Sequence, residues 1–217
     1  MTDPTSLRLE RAQISDLSAI GATSALLELI LTRNPVSDLR PLSGLTGLEV
    51  LGLRLTRVTD LTPLAGLTRL KTLILSFTEV QDLSPLTGLT ALEGLHLTGT
   101  LVADIQPLAG LRRLNRLDLG GTRVADLTPV RGLTELLGLQ LAGTRVTDLS
   151  PLAGMTALRF LDLGDTPVAD VGPLRGLTAL REVDLRGTRV SDVSALKQIP
   201  GCTVITDTNQ RVRRRPS

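Results

Sequence analysis

An aspartate returns every 22 residues along almost the whole chain: Asp16, Asp38, Asp60, Asp82, Asp104, Asp126, Asp148, Asp170 and Asp192. No insertion disturbs that spacing. A fixed period of this length constrains the fold more than any composition does. Each unit must repeat one local structure and bury its apolar face against the units on either side. The 217 residues are therefore expected to form one elongated domain rather than two compact ones.

The words between the aspartates predict the shape of each unit. The consensus is Asp-Leu-x-Pro-Leu-x-Gly-Leu-Thr-x-Leu-x-x-Leu-x-Leu-x-x-Thr-x-Val-x. Its Leu-x-Leu pair is a strand signal, because alternate side chains point to opposite faces. Ten such cores are legible, from Leu7/Leu9 and Leu29/Leu31 to Val183/Leu185, with a worn last one at Ile205. At about 4.8 Å per rung, nine steps span roughly 43 Å. After each strand, Thr-x-Val turns the chain and sends Val58, Val80, Val124 and Val146 inward. The aspartate then caps a short turn, and a proline follows it by three residues (Pro41, Pro63, Pro85) where no intrahelical bond is lost. Gly44, Gly66, Gly88 and their successors are expected to end that turn at positive φ. The prediction is an α/β leucine-rich-repeat protein, a right-handed solenoid with a parallel concave β-sheet of about ten strands and short 3-10 or helical turns on the convex side.

The end units depart from the pattern, as caps do. Ala19 and Ala195 replace the proline, and Ile199-Pro-Gly-Cys202 replaces Leu-Thr-x-Leu. A single domain over 1–208, with about nine repeats and a cap at each end, is followed by a basic tail over 209–217 that is expected to be disordered.

Composition narrows the function classes. The chain is 41% hydrophobic without Trp or Tyr, and Phe77 and Phe160 are its only aromatics. Arg211, Arg213, Arg214 and Arg215 lie in the tail, and removing those four charges turns the net +2 into −2. The repeat body therefore gives no electrostatic reason to expect nucleic acid. One cysteine, Cys202, supports neither a disulfide framework nor a zinc cluster. No apolar run is long enough for a membrane span, and the first residues lack a signal-peptide pattern, so a cytoplasmic location is expected.

The repeat, with its Thr-x-Val-x-Asp-Leu-x-Pro-Leu-x-Gly-Leu core, is very similar to the 22-residue repeat of bacterial internalins. The same repeat class includes the leucine-rich regulator of protein phosphatase 1. The resemblance covers about residues 5–207 and implies protein binding on the concave strand face. Internalin-like repeats usually carry Asn ahead of the x-Val-x-Asp word, bonding backbone groups of neighbouring coils. Here only Asn34 keeps it, and Thr56, Thr78, Thr100, Thr122, Thr144, Thr166 and Thr188 stand elsewhere. A threonine ladder in weaker or water-bridged form is expected.

Function has to lie in residues that the repeat does not dictate, namely the outward strand positions. Two zones stand out. Ile30, Val50, Leu55, Ile74 and Phe77 make an apolar N-terminal patch, in which Leu55 and Phe77 occupy a position that is glycine in four later coils. The C-terminal half offers Asp118, Asp162, Asp165, Glu182 and Asp184, with His96 and Phe160 also at outward positions. Exposed aromatics beside an apolar patch mark an interface. One histidine and several carboxylates on an open sheet, with no cleft around them, make a poor catalytic or metal site. The expectation is a non-catalytic module that binds a protein partner on its concave face, with no cofactor and no small-molecule substrate. A regulatory subunit positioning a phosphatase or other enzyme, and an exported or surface effector, are the alternatives.

Overall fold

A computed structural model describes residues 5–208. The tail over 209–217 lies outside the described residues. Ten three-residue strands stack in chain order into one parallel sheet: β1 (Ser6–Arg8), β2 (Glu28–Ile30), β3 (Val50–Gly52), β4 (Thr72–Ile74), β5 (Gly94–His96), β6 (Arg116–Asp118), β7 (Gly138–Gln140), β8 (Phe160–Asp162), β9 (Glu182–Asp184) and β10 (Thr203–Ile205). The predicted leucine-rich-repeat solenoid is thus the observed fold. Between β1 and β9 each residue pairs with the one 22 positions on, as Leu29 does with Leu51. The last step is one residue shorter, since Glu182 pairs with Thr203 and Asp184 with Ile205. Ile205, read as the worn core position of the last unit, thus pairs with the outward-facing Asp184.

The core is one continuous column. In the coil that contains β3, Leu48, Leu51, Leu53, Val58, Leu61, Leu64 and Leu67 are all buried, and Val80, Val124 and Val146 repeat the inward valine. Each layer needs the same volume, and leucine supplies it at interior packing density. On the convex side Pro41, Pro63, Pro85, Pro107 and Pro151 sit in three-residue 3-10 turns. Where alanine replaces the proline, the turn becomes a single α-helical one, at Ser18–Gly21 and Ser194–Lys197. There Gly21 N–H reaches Leu17 C=O, four residues back. Alanine is the best helix former, and removing proline frees the residue before it to take the α conformation.

Three local expectations are corrected. The aspartate stands one residue before the helical N-cap, which is a leucine in most coils, and it works as an Asx turn: Asp60 Oδ1 accepts the Thr62 N–H at 2.8 Å, and Asp82 accepts that of Ser84 at 2.8 Å. The repeat glycines do not take positive φ. A Cβ on Gly44, Gly66 or Gly88 would meet nothing, so neither backbone nor space demands glycine there. The threonines do not bridge coils. Thr122 Oγ1 donates to Leu119 C=O in its own coil at 2.6 Å, as Thr144 does to Leu141. A hydroxyl is too short to span the gap, so the backbone bridges it instead, with Arg123 N–H donating to Val102 C=O at 2.8 Å. Only Asn34 reaches across: its Oδ1 accepts the Ala12 and Ile14 N–H groups, and its Nδ2 donates to Leu9 and Leu31 carbonyls.

Candidate protein-interaction surface

Three outward columns run along the concave sheet, and a fourth follows at its C-terminal edge, where the chain leaves each strand. That fourth column is the left-handed one: Arg33, Leu55, Phe77, Gly99, Gly121, Gly143, Asp165 and Gly187 all have φ between 54° and 69°. The backbone at this position favours glycine, because a Cβ in the left-handed region costs about 1–2 kcal/mol. Leu55 and Phe77 bear that strain and remain the exposed large apolar residues of their coils, at 36% and 43%.

The expected N-terminal patch therefore divides in two. Ile30, Val50 and Ile74 lie on the sheet and are half-buried. Ile30 covers Gly52, where a Cβ would come 2.7 Å from Ile30 Cδ1. Leu55 and Phe77 stand instead on the rim beside Arg54, whose guanidinium carbon lies 4.7 Å from the centroid of the Phe77 ring. That spacing is a cation–π contact.

At the other end, where no cleft was expected, a half-open hollow of about 530 Å³ lies over β5 to β9. Its cause is local. Gly138 stands between Arg116 and Phe160 in the first outward column, and a Cβ there would meet nothing within 4 Å. Phe160, the most exposed large apolar side chain among the described residues at 55%, forms one wall together with Leu137. His96, Asp118, Asp162, Glu182 and Asp184 line the rest with Gln140, Arg116 and Arg159.

The carboxylates of the hollow have structural duties as well. Asp118, Asp162 and Asp184 each accept the N–H two residues on, from Gly120, Gly164 and Arg186, at 3.1, 2.9 and 3.0 Å. Asp184 is also forked by the Arg186 guanidinium, and little of it reaches solvent. His96 Nδ1 is 3.9 Å from Asp118 Oδ2, an ion-pair spacing beyond hydrogen-bond length. Burial pushes the Asp118 carboxyl up, but the His96 and Thr98 side chains and the Gly120 N–H outweigh it and leave it below its ordinary value. Asp162 has the opposite balance. Burial, joined by the Asp184 charge, raises it despite the Gly164 N–H. Among the described residues no group of three or more His, Cys, Asp or Glu side chains is placed to hold a metal ion.

Leu27 and Leu137 were not among the expected site residues. Both are exposed on the edge where the chain enters the strands. Their column elsewhere carries Glu49, Lys71, Glu93, Asn115 and Arg159, so a leucine among polar residues was the available signal. Charged pairs hold the same edge further along, Glu49 with Arg69 and Lys71 at 3.3 and 2.7 Å.

A parallel one-sheet solenoid with a leucine core and a concave face carrying non-repeat residues defines a leucine-rich-repeat protein, a fold class that generally mediates protein–protein interaction. The family model for leucine-rich repeats (2 copies) matches residues 68–110. Internalin C2 from Listeria monocytogenes is similar to the chain at 35% identity over 82% of this chain and 79% of that one, with a TM-score of 0.81. The chain belongs to the internalin-like leucine-rich-repeat family. A second Listeria monocytogenes internalin, inlF, is 26% identical over 92% of this chain and 72% of its own, with a TM-score of 0.79. The ectodomain of the plant membrane receptor kinase GASSHO1/SCHENGEN3 from Arabidopsis thaliana, solved in complex with Casparian strip integrity factor 2, shares the fold at 19% identity over 93% of this chain and 29% of its own, with a TM-score of 0.71. No curated protein matches the chain.

Proposed function

We propose that the chain is a non-catalytic module that binds a protein partner across its concave face. The observation that carries this reading is the hollow over Gly138, where exposed Phe160 and Leu137 stand beside the carboxylates of Asp118 and Asp162. An aromatic anchor next to polar groups that fix orientation is the composition of an interface centre. In this reading Ile30, Val50 and Ile74 extend the contact toward the N-terminus, with Leu55 and Phe77 at its rim. Asp118, Asp162, Glu182 and Asp184 supply polar selectivity, with His96 above them. The interaction role of the leucine-rich-repeat class supports the reading.

The test is capture of a partner by the immobilised full chain and by its Phe160→Asp variant. The variant should lose the partner by tenfold or more in affinity, about 1.4 kcal/mol, with an unchanged circular dichroism spectrum. Equal capture by both proteins contradicts the concave assignment.

A further inference from the structure

We infer that the rim formed by Leu55, Phe77, Arg54 and Arg33 is a docking site for a polypeptide segment that carries bulky apolar side chains flanked by carboxylates. The inference rests on the protein-binding reading above and names the chemistry that one part of the surface takes.

Four observations converge on these residues. The first is backbone strain. Leu55 and Phe77 hold φ of 56° and 59° in a column where the later coils place Gly99, Gly121, Gly143 and Gly187. The solenoid therefore has a less strained solution at this position and uses it four times. Backbone strain kept by two bulky residues points to a role other than folding. The second is exposure: both side chains face solvent although each is large and apolar. The third is preorganisation. The Phe77 ring is held between Arg54, 4.7 Å from its centroid, and Gly99, whose missing Cβ leaves the ring its seat. A side chain fixed before binding loses little freedom on binding.

The fourth is charge. Arg33 and Arg54 are both exposed, and Arg54 makes no ion pair among the described residues. Among the acidic side chains of the same coils, Glu28 pairs with Arg8, Asp38 with Arg40, and Glu49 with Arg69 and Lys71 on the opposite edge, while Asp60 and Asp82 accept amide hydrogens in the convex turns. Glu79 stands beyond the buried Thr78. An apolar step with cations beside it is complementary to an apolar segment with carboxylates beside it.

Fluorescence anisotropy on the full chain tests this with two labelled peptides, Glu-Glu-Leu-Phe-Glu-Glu and its charge-reversed counterpart Lys-Lys-Leu-Phe-Lys-Lys. The acidic peptide should bind saturably and at least about tenfold more tightly than the basic one, and added salt should weaken it. Phe77→Gly and Arg54→Glu should each weaken it by about tenfold or more. The thermal midpoint of Phe77→Gly should fall by no more than about 2 °C, since glycine relieves the left-handed backbone. Equal binding of the two peptides overturns the inference, and so does undiminished binding to Phe77→Gly. If binding is lost with Phe160→Asp or Ile74→Asp but kept with Phe77→Gly, the concave reading stands and the rim site falls. If neither peptide binds, the rim site falls while partner capture still judges the concave face.

Discussion

The ring of Phe77 fills the space that a side chain on Gly99 would need: a Cβ built there comes 2.7 Å from Phe77 Cδ1 and 2.9 Å from Cε1. Gly99 is thus glycine for two reasons, its φ of 66° and its neighbour's ring. Gly121 has the first reason alone, since its nearest neighbours would lie 3.7 Å away. Gly121→Ala should cost about 1–2 kcal/mol from backbone strain. Gly99→Ala should cost more, and the excess should disappear in the Phe77→Gly background. Urea denaturation of the four variants measures this coupling, expected above about 0.5 kcal/mol. Equal costs for Gly99→Ala and Gly121→Ala would show that the ring is not seated on Gly99.

Asn34 makes a bond that no threonine of its column makes. It satisfies the Ala12 and Ile14 amides at 2.9 and 3.1 Å and so ties the first coil to the second. Asn34→Thr should leave both amides unpaired and cost about 1–3 kcal/mol. Amide hydrogen exchange at positions 12 and 14 should quicken while exchange in the coils beyond β5 stays unchanged. Slow exchange retained at both amides in the variant contradicts this role.

The Asx-turn aspartates make the fold sensitive to acid. The Arg40 side chain and N–H together hold Asp38 down to about 2, and the Ser84 and Ser150 groups lower Asp82 and Asp148 in the same way. A carboxylate lowered in the folded state adds stability above its unfolded value and loses it as pH falls toward the folded one. The thermal midpoint should therefore drop between about pH 4 and pH 2, and Asp38→Asn should flatten part of that drop. A midpoint that is level across this range removes the aspartates from the stability account.

Asp162 and Asp118 should titrate in a set order although both line one hollow. Asp162 is raised by burial and by Asp184, while Asp118 is lowered because His96, Thr98 and Gly120 outweigh burial. For Asp162 the sign is reversed: stability tied to its protonated form is present at low pH and lost as pH rises. Asp162→Asn keeps an oxygen for the Gly164 N–H and should leave neutral-pH stability equal or higher. Carbon-detected NMR titration should find Asp162 protonating at higher pH than Asp118, and the reverse order rejects this assignment.

The fold was legible in the sequence because a 22-residue period leaves one architecture for Leu-x-Leu, Val and Pro to occupy. The finer errors came from the local backbone path within each coil, which the repeat words do not display. The need for positive φ falls on Leu55, Phe77 and Gly99 rather than on Gly44, and only the backbone path shows that. The site was half legible. Phe77 and Phe160 stood out as the only aromatics, but the hollow depends on a missing side chain, Gly138, between two large ones in adjacent coils. Leu137 was hidden because it lies just outside the strand words. The shortened last register arose where Ile199-Pro-Gly-Cys202 broke the pattern that made every other rung readable.

A protein partner seated on the concave face must come within reach of position 160. Photo-crosslinking tests it most directly, with a benzophenone side chain placed at position 160 in the hollow or at position 154, next to the convex turn Ser150–Leu152. Illumination in the presence of the captured partner should yield a covalent adduct from position 160 and none from position 154. An adduct from position 154 with none from position 160 would contradict the account.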